Sequence, residues 1–307
     1  MVRGPVAGDT GGMTTTAHPD RAAAPTLPAA LRLGPVHLTA TALDRSVAWY
    51  QEALGLRVHR HDASTAELGD GDVPTLVLVE DAQARRPGRH AGLYHYALLF
   101  PSREELARAA IRLSLARTPI QGASDHGTHE AIYLPDPDGN GIELAADRPR
   151  EVWPTPEEEF GGGGPRPLDF DGLLATVAGE EPTPSVAPGL RMGHVHLHVG
   201  DIARGLAFYR DLIGFEVWGM LPSAAFVSAG GYHHHLGFNT WRGEGAAPAP
   251  AGIVGLREWT VELPAAGDVA AVRERLEAAG VPVEGSERGF LVRDPWAVAL
   301  RVVEAGA

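Results

Sequence analysis

Two stretches of sequence decide the fold of this chain: LGPVHLTATALDRSVAWYQEALGL, which begins at Leu33, and MGHVHLHVGDIARGLAFYRDLIGF, which begins at Met192. They align with each other without a gap. In each stretch, alternating apolar residues predict a strand, and apolar residues at helical spacing then predict a helix. Gly55 and Gly214 follow the two helices, in the position where glycine commonly ends a helix. The chain therefore contains an internal repeat, and such repeats largely determine a fold.

A finer repeat lies inside each half of the chain. GLYHYALLF from Gly92 predicts a strand, residues 103–117 a helix, and HEAIYLPDPDGNGIELAAD two strands joined at the turn residues DPDGNG. The second half repeats this order weakly, with GLREWTVEL from Gly255, a helix at 268–279 and GFLVRDPWAVALRVVE. Each unit begins with a strand and a helix and ends in strands. We therefore expect four modules, at about residues 33–86, 92–148, 191–245 and 253–304.

The segments outside the modules are rich in Gly, Ala, Pro and Thr. Residues 1–32 lack the basic start and apolar core of a signal peptide, and we expect them to form a disordered arm. Residues 151–190 predict a linker with one small ordered element at 168–177. A chain of 307 residues is long enough for two domains. We expect these at 33–150 and 191–307, one on each side of the linker.

The composition limits the partners and cofactors of the protein. The chain has 39 Asp and Glu against 26 Lys and Arg, so its net charge of -13 makes nucleic acid and anionic membranes poor partners. No apolar run reaches the roughly 18 residues of a membrane span. The absence of Cys excludes disulfides and thiolate ligands and fits a cytoplasmic location. With 14 His available, a transition-metal site would have to combine His with Asp or Glu.

Four βαβββ modules in this order resemble the vicinal oxygen chelate superfamily of glyoxalases, bleomycin-resistance proteins and extradiol dioxygenases. The helix end FYRDLIGF and the turn-strand DPDGNGIEL carry this resemblance. GLYHYALLFP, YLPDPDGNGIELAADRPREVW, GHVHLHV and GGYHHHLGFNTW are further similar to a bacterial catechol-2,3-dioxygenase subgroup. The resemblance implies an α+β fold in which the modules pair into two curved mixed sheets. It also implies that metal ligands come from the first and last strands of the modules and point into the concavity.

The resemblance places candidate ligands in the second and third modules. The second module has His95 on its first strand and Glu143 on its last strand, and the third module has His194 on its first strand. These residues form a 2-His-1-carboxylate set of the type that holds non-haem Fe(II) and leaves positions open for substrate and O₂. Mn(II) is an alternative, since it accepts the same ligands.

The first and fourth modules lack such a set. The first module has Pro35 at the equivalent position, with His37 two residues further on, and the fourth has Glu258 and Arg301 in the places of the His and the Glu. A cationic arginine argues against a metal there. Since the ligands lie in modules two and three, we expect those modules to pair, either within one chain or by exchange between the two chains of a homodimer.

Other residues take roles in the site from the same resemblance. Tyr133 lies where extradiol enzymes keep a substrate-binding tyrosine. His126 and His129 lie just upstream, where the family has a further histidine, and His126 is a candidate for contact with the substrate. His196 shares a strand face with His194 and is a further candidate for contact with the substrate.

The run of three histidines at 233–235 matches the position of the family's acid–base histidine. Strand alternation would place His234 on one face and its two neighbours on the other. The alignment favours His234 as the acid–base group, with His235 as a candidate for substrate contact. A one-residue bulge would reverse this assignment.

The resemblance implies an extradiol ring-cleaving dioxygenase, an oxidoreductase of aromatic degradation that uses Fe(II) and O₂ on a small catechol-type diol. Two other functions stay open. One is another metal-dependent enzyme of the superfamily, such as a hydroquinone dioxygenase, a lyase or an isomerase. The other is a metal-free binding protein of the bleomycin-resistance type. Consumption of O₂ would separate dioxygenases from lyases and isomerases, and metal content would separate the enzymes from the binding protein.

Overall fold

The computed structural model describes residues 26–161 and 164–306. Most of the expected N-terminal arm, residues 1–25, lies outside the described residues. The described chain repeats the βαβββ pattern four times, and its strands pair in both parallel and antiparallel directions, as the sequence predicted. Among the helices that the structure describes, none is long and apolar enough to cross a membrane.

The first two modules follow each other directly along the chain. The first contains β1 (Arg32–Ala40), α1 (Leu43–Trp49) with a π-helical extension (Tyr50–Leu54), β2 (Arg57–His61), β3 (Thr65–Gly69) and β4 (Pro74–Glu80). The second contains β5 (Gly92–Phe100), α2 (Arg103–Leu115), β6 (Gly122–Asp125), β7 (His129–Pro135) and β8 (Gly141–Asp147). Gly55 ends the first helix with a φ of 76°, a left-handed conformation that glycine adopts without steric cost.

The segment between the second and third modules carries several short elements. They are a 3₁₀ turn (Arg150–Val152), α3 (Pro156–Gly161), β9 (Arg166–Pro167) and α4 (Phe170–Ala175). The ordered element predicted at 168–177 corresponds to α4, which Asp169 caps by accepting a hydrogen bond from the backbone N–H of Gly172. Helix α3 was not predicted from the sequence.

The third and fourth modules repeat the arrangement of the first two. The third contains β10 (Arg191–His198), α5 (Ile202–Leu206) with a π-helical extension (Ala207–Ile213), β11 (Glu216–Leu221), β12 (Ala224–Ser228) and β13 (Leu236–Asn239). The fourth contains β14 (Leu256–Leu263), α6 (Ala266–Ala278), β15 (Val283–Ser286), β16 (Gly289–Arg293) and β17 (Ala299–Glu304). Asp201 caps α5 through the N–H of Arg204, and Gly214 ends the extension with a φ of 105°.

The modules pair two with three and one with four. Strand β5 runs antiparallel to β10, with His95 opposite His196, and β1 runs antiparallel to β14, with His37 opposite Glu258. In every module the last strand lies parallel beside the first. The expected pairing of modules two and three is confirmed, and it occurs within one chain.

Two buried tyrosines from the repeated stretches connect module one to module two and module three to module four. The hydroxyl of Tyr50 donates to Asp136 at 3.0 Å, across modules one and two, and that of Tyr209 donates to Asp294 at 2.8 Å, across modules three and four. Burial raises the pKa of Asp136 and raises that of Asp294 to about 6. Sheet pairing and these buried contacts together place all four modules around one continuous apolar core.

Candidate metal centre

The three predicted ligands converge where β5, β8 and β10 lie side by side. The Nε2 atoms of His95 and His194 are 3.3 Å apart, and each lies 3.2 Å from Oε2 of Glu143. All three side chains are buried. Because β8 is parallel to β5 and β10 is antiparallel to it, residues far apart in sequence point into the same space.

The spacing of these atoms fits a single divalent cation. Ligands at about 2.1 Å in adjacent octahedral positions stand about 3 Å apart. Burial opposes ionisation of Glu143, but the adjacent His194 and the close contacts of His129 and His95 hold its pKa well below its usual range. A buried carboxylate kept ionised beside two imidazole nitrogens is a donor set that suits a transition metal. Within the described part of the chain, no other group of three His, Cys, Asp or Glu converges in this way.

A stack of imidazole rings supports the free side of Glu143. Its Oε1 is buried without a well-aligned hydrogen bond, although His129 Nε2 lies 3.1 Å away. The ring of His129 lies between those of His126 and His233, at centroid distances of 4.5 and 4.6 Å and nearly parallel to both. Thr128 Oγ1 lies 2.9 Å from the other nitrogen of His129. These contacts fix the orientation of His129 and, through it, that of the Glu143 carboxylate.

Tyr133 and His126 border the open side of the triad. The Tyr133 hydroxyl lies 2.8 Å from His126 Nε2, and its ring centroid lies 5.7 Å from that of His95. Burial raises the pKa of Tyr133 well above its usual value, so the phenol keeps its proton. Burial, with His129 next to it, lowers the pKa of His126 to about 3, so this imidazole is neutral.

The three-histidine run divides between two sides of the protein. It precedes β13 rather than lying within a strand. His234 borders the cavity, with its ring centroid 4.1 Å from that of His194. His233 turns under it to stack on His129. His235 faces a separate surface depression, and its Nδ1 accepts a hydrogen bond from the N–H of Ala229 at 3.2 Å. The structure therefore brings His234, and not His235, to the triad.

A cavity of about 580 Å³ opens above the triad. Its aromatic walls are formed by Tyr94, Phe160, Phe226 and Trp241. His196 also borders it, and its Nε2 accepts a hydrogen bond from the side-chain amide of Asn239 at 2.9 Å. A mostly apolar cavity with a few convergent polar groups is typical of a small-molecule site.

Several residues of the cavity were not identified from the sequence. Tyr94 precedes His95 on β5, and its ring packs against His196 and Trp241. Glu159 and Phe160 come from α3, inside a stretch whose composition predicted a linker. Burial raises the pKa of Glu159, an effect that a hydrogen bond from Trp218 opposes. No sequence pattern marks these residues, because tertiary contacts alone bring them to the cavity.

Comparison with known proteins gives consistent results. The model of the Glyoxalase/Bleomycin resistance protein/Dioxygenase superfamily matches residues 32–144 and 191–296. Catechol-2,3-dioxygenase from Bacillus subtilis strain 168 is 42% identical over 268 residues, which cover 86% of this chain and 93% of that protein. Together with the four observed modules, these matches extend over most of the chain.

Solved structures show the same fold at low sequence identity. One from Bacillus subtilis strain 168, with a provisional dioxygenase assignment, has a TM-score of 0.61 at 15% identity and covers 90% of this chain and 86% of that chain. Glyoxalase I from Zea mays has a TM-score of 0.57 at 16% identity and covers 90% of this chain and 92% of that chain. The chain belongs to the glyoxalase, bleomycin-resistance protein and dioxygenase superfamily.

Proposed function

We propose that the protein is an extradiol dioxygenase that cleaves the ring of a catechol with O₂, using Fe(II) held by His95, Glu143 and His194. The observation that carries this proposal is the convergence of three buried ligand atoms on the floor of an aromatic cavity. The 42% identity to a catechol-2,3-dioxygenase, over nearly the whole length of that protein, supports it. Mn(II) is the alternative metal, because it accepts the same ligand set.

When bound, the metal would lower the pKa of the diol hydroxyls and hold the diol and O₂ beside each other. The protein's own residues would position the ring and handle its protons. The aromatic walls suit a flat substrate and keep water from its faces. His196, fixed by Asn239, would contact the ring from the side of β10.

His234 is suited to accept a proton from the diol. Its pKa is held well below 6.5 by burial and by the neighbouring His194, so the imidazole is neutral before reaction. A chain of contacts determines which nitrogen is free. Asp147 Oδ1 lies 3.1 Å from Nε2 of His233, so Nε2 carries the proton of that ring and Nδ1 does not. Nδ1 of His234, 2.9 Å from Nδ1 of His233, must then be the donor, which leaves its Nε2 unprotonated as the base.

Tyr133 is suited to hydrogen-bond a substrate oxygen. His126 Nε2–H would donate to the phenol oxygen at 2.8 Å, which frees the phenol proton for the substrate. Since the pKa of Tyr133 is raised, the hydroxyl remains a donor while the substrate oxygen gains negative charge.

The proposal is tested by loading the purified protein with Fe(II) without oxygen and then adding catechol and O₂. We expect one O₂ consumed per catechol and a yellow ring-opened product, with no O₂ uptake from hydroquinone. Uptake with hydroquinone alone would favour a hydroquinone dioxygenase. Iron-loaded protein that consumes no O₂ with either compound would reject the proposal and favour a lyase, an isomerase or a binding protein.

A further inference from the structure

Helix α3, from the segment between modules two and three, forms one wall of the cavity. The ring of Phe160 stacks on Phe226 of β12, with centroids 4.9 Å apart. Phe160 also lies against the backbone of β11 at Gly219, where a Cβ atom would overlap its ring. Since Gly219 has no side chain, α3 can pack closely on the third module. This packing fixes the position of the preceding residue, Glu159.

Glu159 holds a carboxyl group at the cavity through one hydrogen bond. Trp218 of β11 donates from Nε1 to Oε2 at 2.9 Å. Among the described residues, no other side chain donates a hydrogen bond to this carboxyl group. The side chain is half-buried and borders the same cavity as His95 and Glu143. Oε1 is therefore available to a molecule in the cavity.

In the described part of the chain, acidic side chains line the cavity, but Lys and Arg side chains do not. Among the described residues that line it, none is Lys or Arg, whereas two are glutamates. The charge of Glu143 would be balanced by the metal and the histidines around it. Glu159 has no metal or guanidinium beside it, since the tryptophan N–H is a neutral donor, and its attraction to His129 is weaker than the effect of burial on its pKa. A substituent that extends from the ring into this cavity would meet the negative charge of Glu159 and, among the described lining residues, no Lys or Arg side chain.

From these contacts we propose that Glu159 selects the substrate by the charge of its ring substituent, favouring catechols with a cationic or uncharged group over catechols with a carboxylate. The inference rests on the proposed function for its substrate class. A carboxylate in the cavity would lose its hydration without gaining a cationic partner, and it would be repelled by Glu159. An ammonium group would gain a charged hydrogen bond to Oε1.

The test compares dopamine with 3,4-dihydroxyphenylacetate at pH 8, where a carboxyl group is ionised. We expect wild-type protein to prefer dopamine, and Glu159→Gln to lower the ratio of the two kcat/KM values about tenfold, as expected for the loss of one partly screened charge. Gln keeps the size of the side chain and an oxygen for Trp218. Glu157→Gln is the matched control, because Glu157 is exposed on the same helix, and it should leave the ratio unchanged.

The preference between the two compounds is also measured by binding. Calorimetry on metal-loaded protein without O₂ gives the ratio of their Kd values. Binding preference without turnover would reject the proposed dioxygenase and keep the assignment of Glu159. Turnover with equal ratios in wild type and Glu159→Gln would overturn the assignment and keep the dioxygenase. A wild-type preference for 3,4-dihydroxyphenylacetate, or no measurable binding of either compound, would also overturn the assignment.

Discussion

The two module pairs share one strand arrangement but hold different groups at equivalent positions. In the pair formed by modules two and three, His95 and Glu143 meet His194 in a buried cluster. In the pair formed by modules one and four, Glu258 takes the place of His95 and Arg301 that of Glu143. Arg301 contacts both oxygens of Glu258, from Nε at 2.5 Å and from Nη2 at 2.8 Å.

The difference shows two ways of balancing a carboxylate at the centre of a curved sheet. Glu258 is balanced by a built-in guanidinium, and the two side chains remain 15% and 33% exposed. Glu143 is 2% exposed, and its neighbours are imidazoles and the phenol of Tyr133 rather than a guanidinium. A carboxylate this deeply buried is costly unless its charge is compensated. One pair therefore needs no metal, whereas in the proposed function a metal would complete the other.

The largest expected effect tests whether metal binding is confined to one pair. His194→Ala removes a ligand from the triad, and because loss of a supporting contact alone costs about 10–100-fold in metal affinity, loss of a ligand should cost more. We expect negligible iron after reconstitution and no detectable O₂ uptake with catechol. The measurement is iron per chain by elemental analysis, with O₂ consumption alongside.

His37→Ala is the matched control for this prediction, since His37 lies opposite Glu258 in the other pair as His196 lies opposite His95. It should keep the iron content and the activity of the wild type. A His194→Ala protein that retains one iron per chain would show that the triad is not the metal site.

The ligand positions could be predicted because they depend on local repetition. A strand followed by a helix recurs four times, and each repeat carries its ligand position at a fixed place along a strand. The residue types at those positions indicate which modules can hold a metal. Modules two and three carry His95, Glu143 and His194, whereas module four carries Glu258 and Arg301. Only one combination of modules could bring the ligands together, and the structure has that combination.

The other residues of the site are positioned by tertiary contacts, which no strand or helix periodicity in the sequence indicates. Residues 233–235 lie in an irregular turn, so alternation along a strand could not show that His233 stacks on His129. Glu159 and Phe160 stand in a stretch rich in Glu and Gly, whose composition predicts a linker. Their place in the cavity depends on Trp218 and Gly219, about sixty residues away.

A second prediction concerns the buried carboxyl of the fourth module. Burial raises the pKa of Asp294 from 3.8 to about 6, so between these pH values the folded protein binds more protons than the unfolded chain. Its contribution to the free energy of unfolding is therefore present at pH 4 and is lost as the pH rises to about 6. Asp294→Asn should remove this dependence. Relative to wild type, the variant should gain about 2 kcal/mol between pH 4 and pH 7.

Urea unfolding at the two pH values measures this change. Asn keeps an oxygen for the backbone N–H groups of Trp296 and Val298, and its amide can donate to the Tyr209 hydroxyl. The exposed Asp171→Asn is the control and should follow the wild-type pH profile. Equal pH dependence in Asp294→Asn and wild type would show that folding does not raise the pKa of Asp294.

The smallest expected effect comes from breaking the ion pair of modules one and four. Arg301→Ala leaves Glu258 without its two-point partner, but solvent reaches both side chains. We expect a loss of about 1 kcal/mol in the free energy of unfolding. This is closer to the contribution of an exposed ion pair than to that of a fully buried one. A double-mutant cycle with Glu258→Ala, measured by urea unfolding, would isolate the pair itself.

Iron content makes the Arg301→Ala experiment decisive for the comparison. If the metal belongs to modules two and three alone, the variant keeps one iron per chain and its O₂ consumption. Removal of the guanidinium leaves Glu258 with His37 Nε2 at 4.0 Å, which is not a converged set of three ligands. A second iron per chain would instead show that Arg301 keeps a metal out of this pair. The guanidinium would then be a substitute for the ion, and the two pairs would differ by a single charged side chain rather than by a full ligand set.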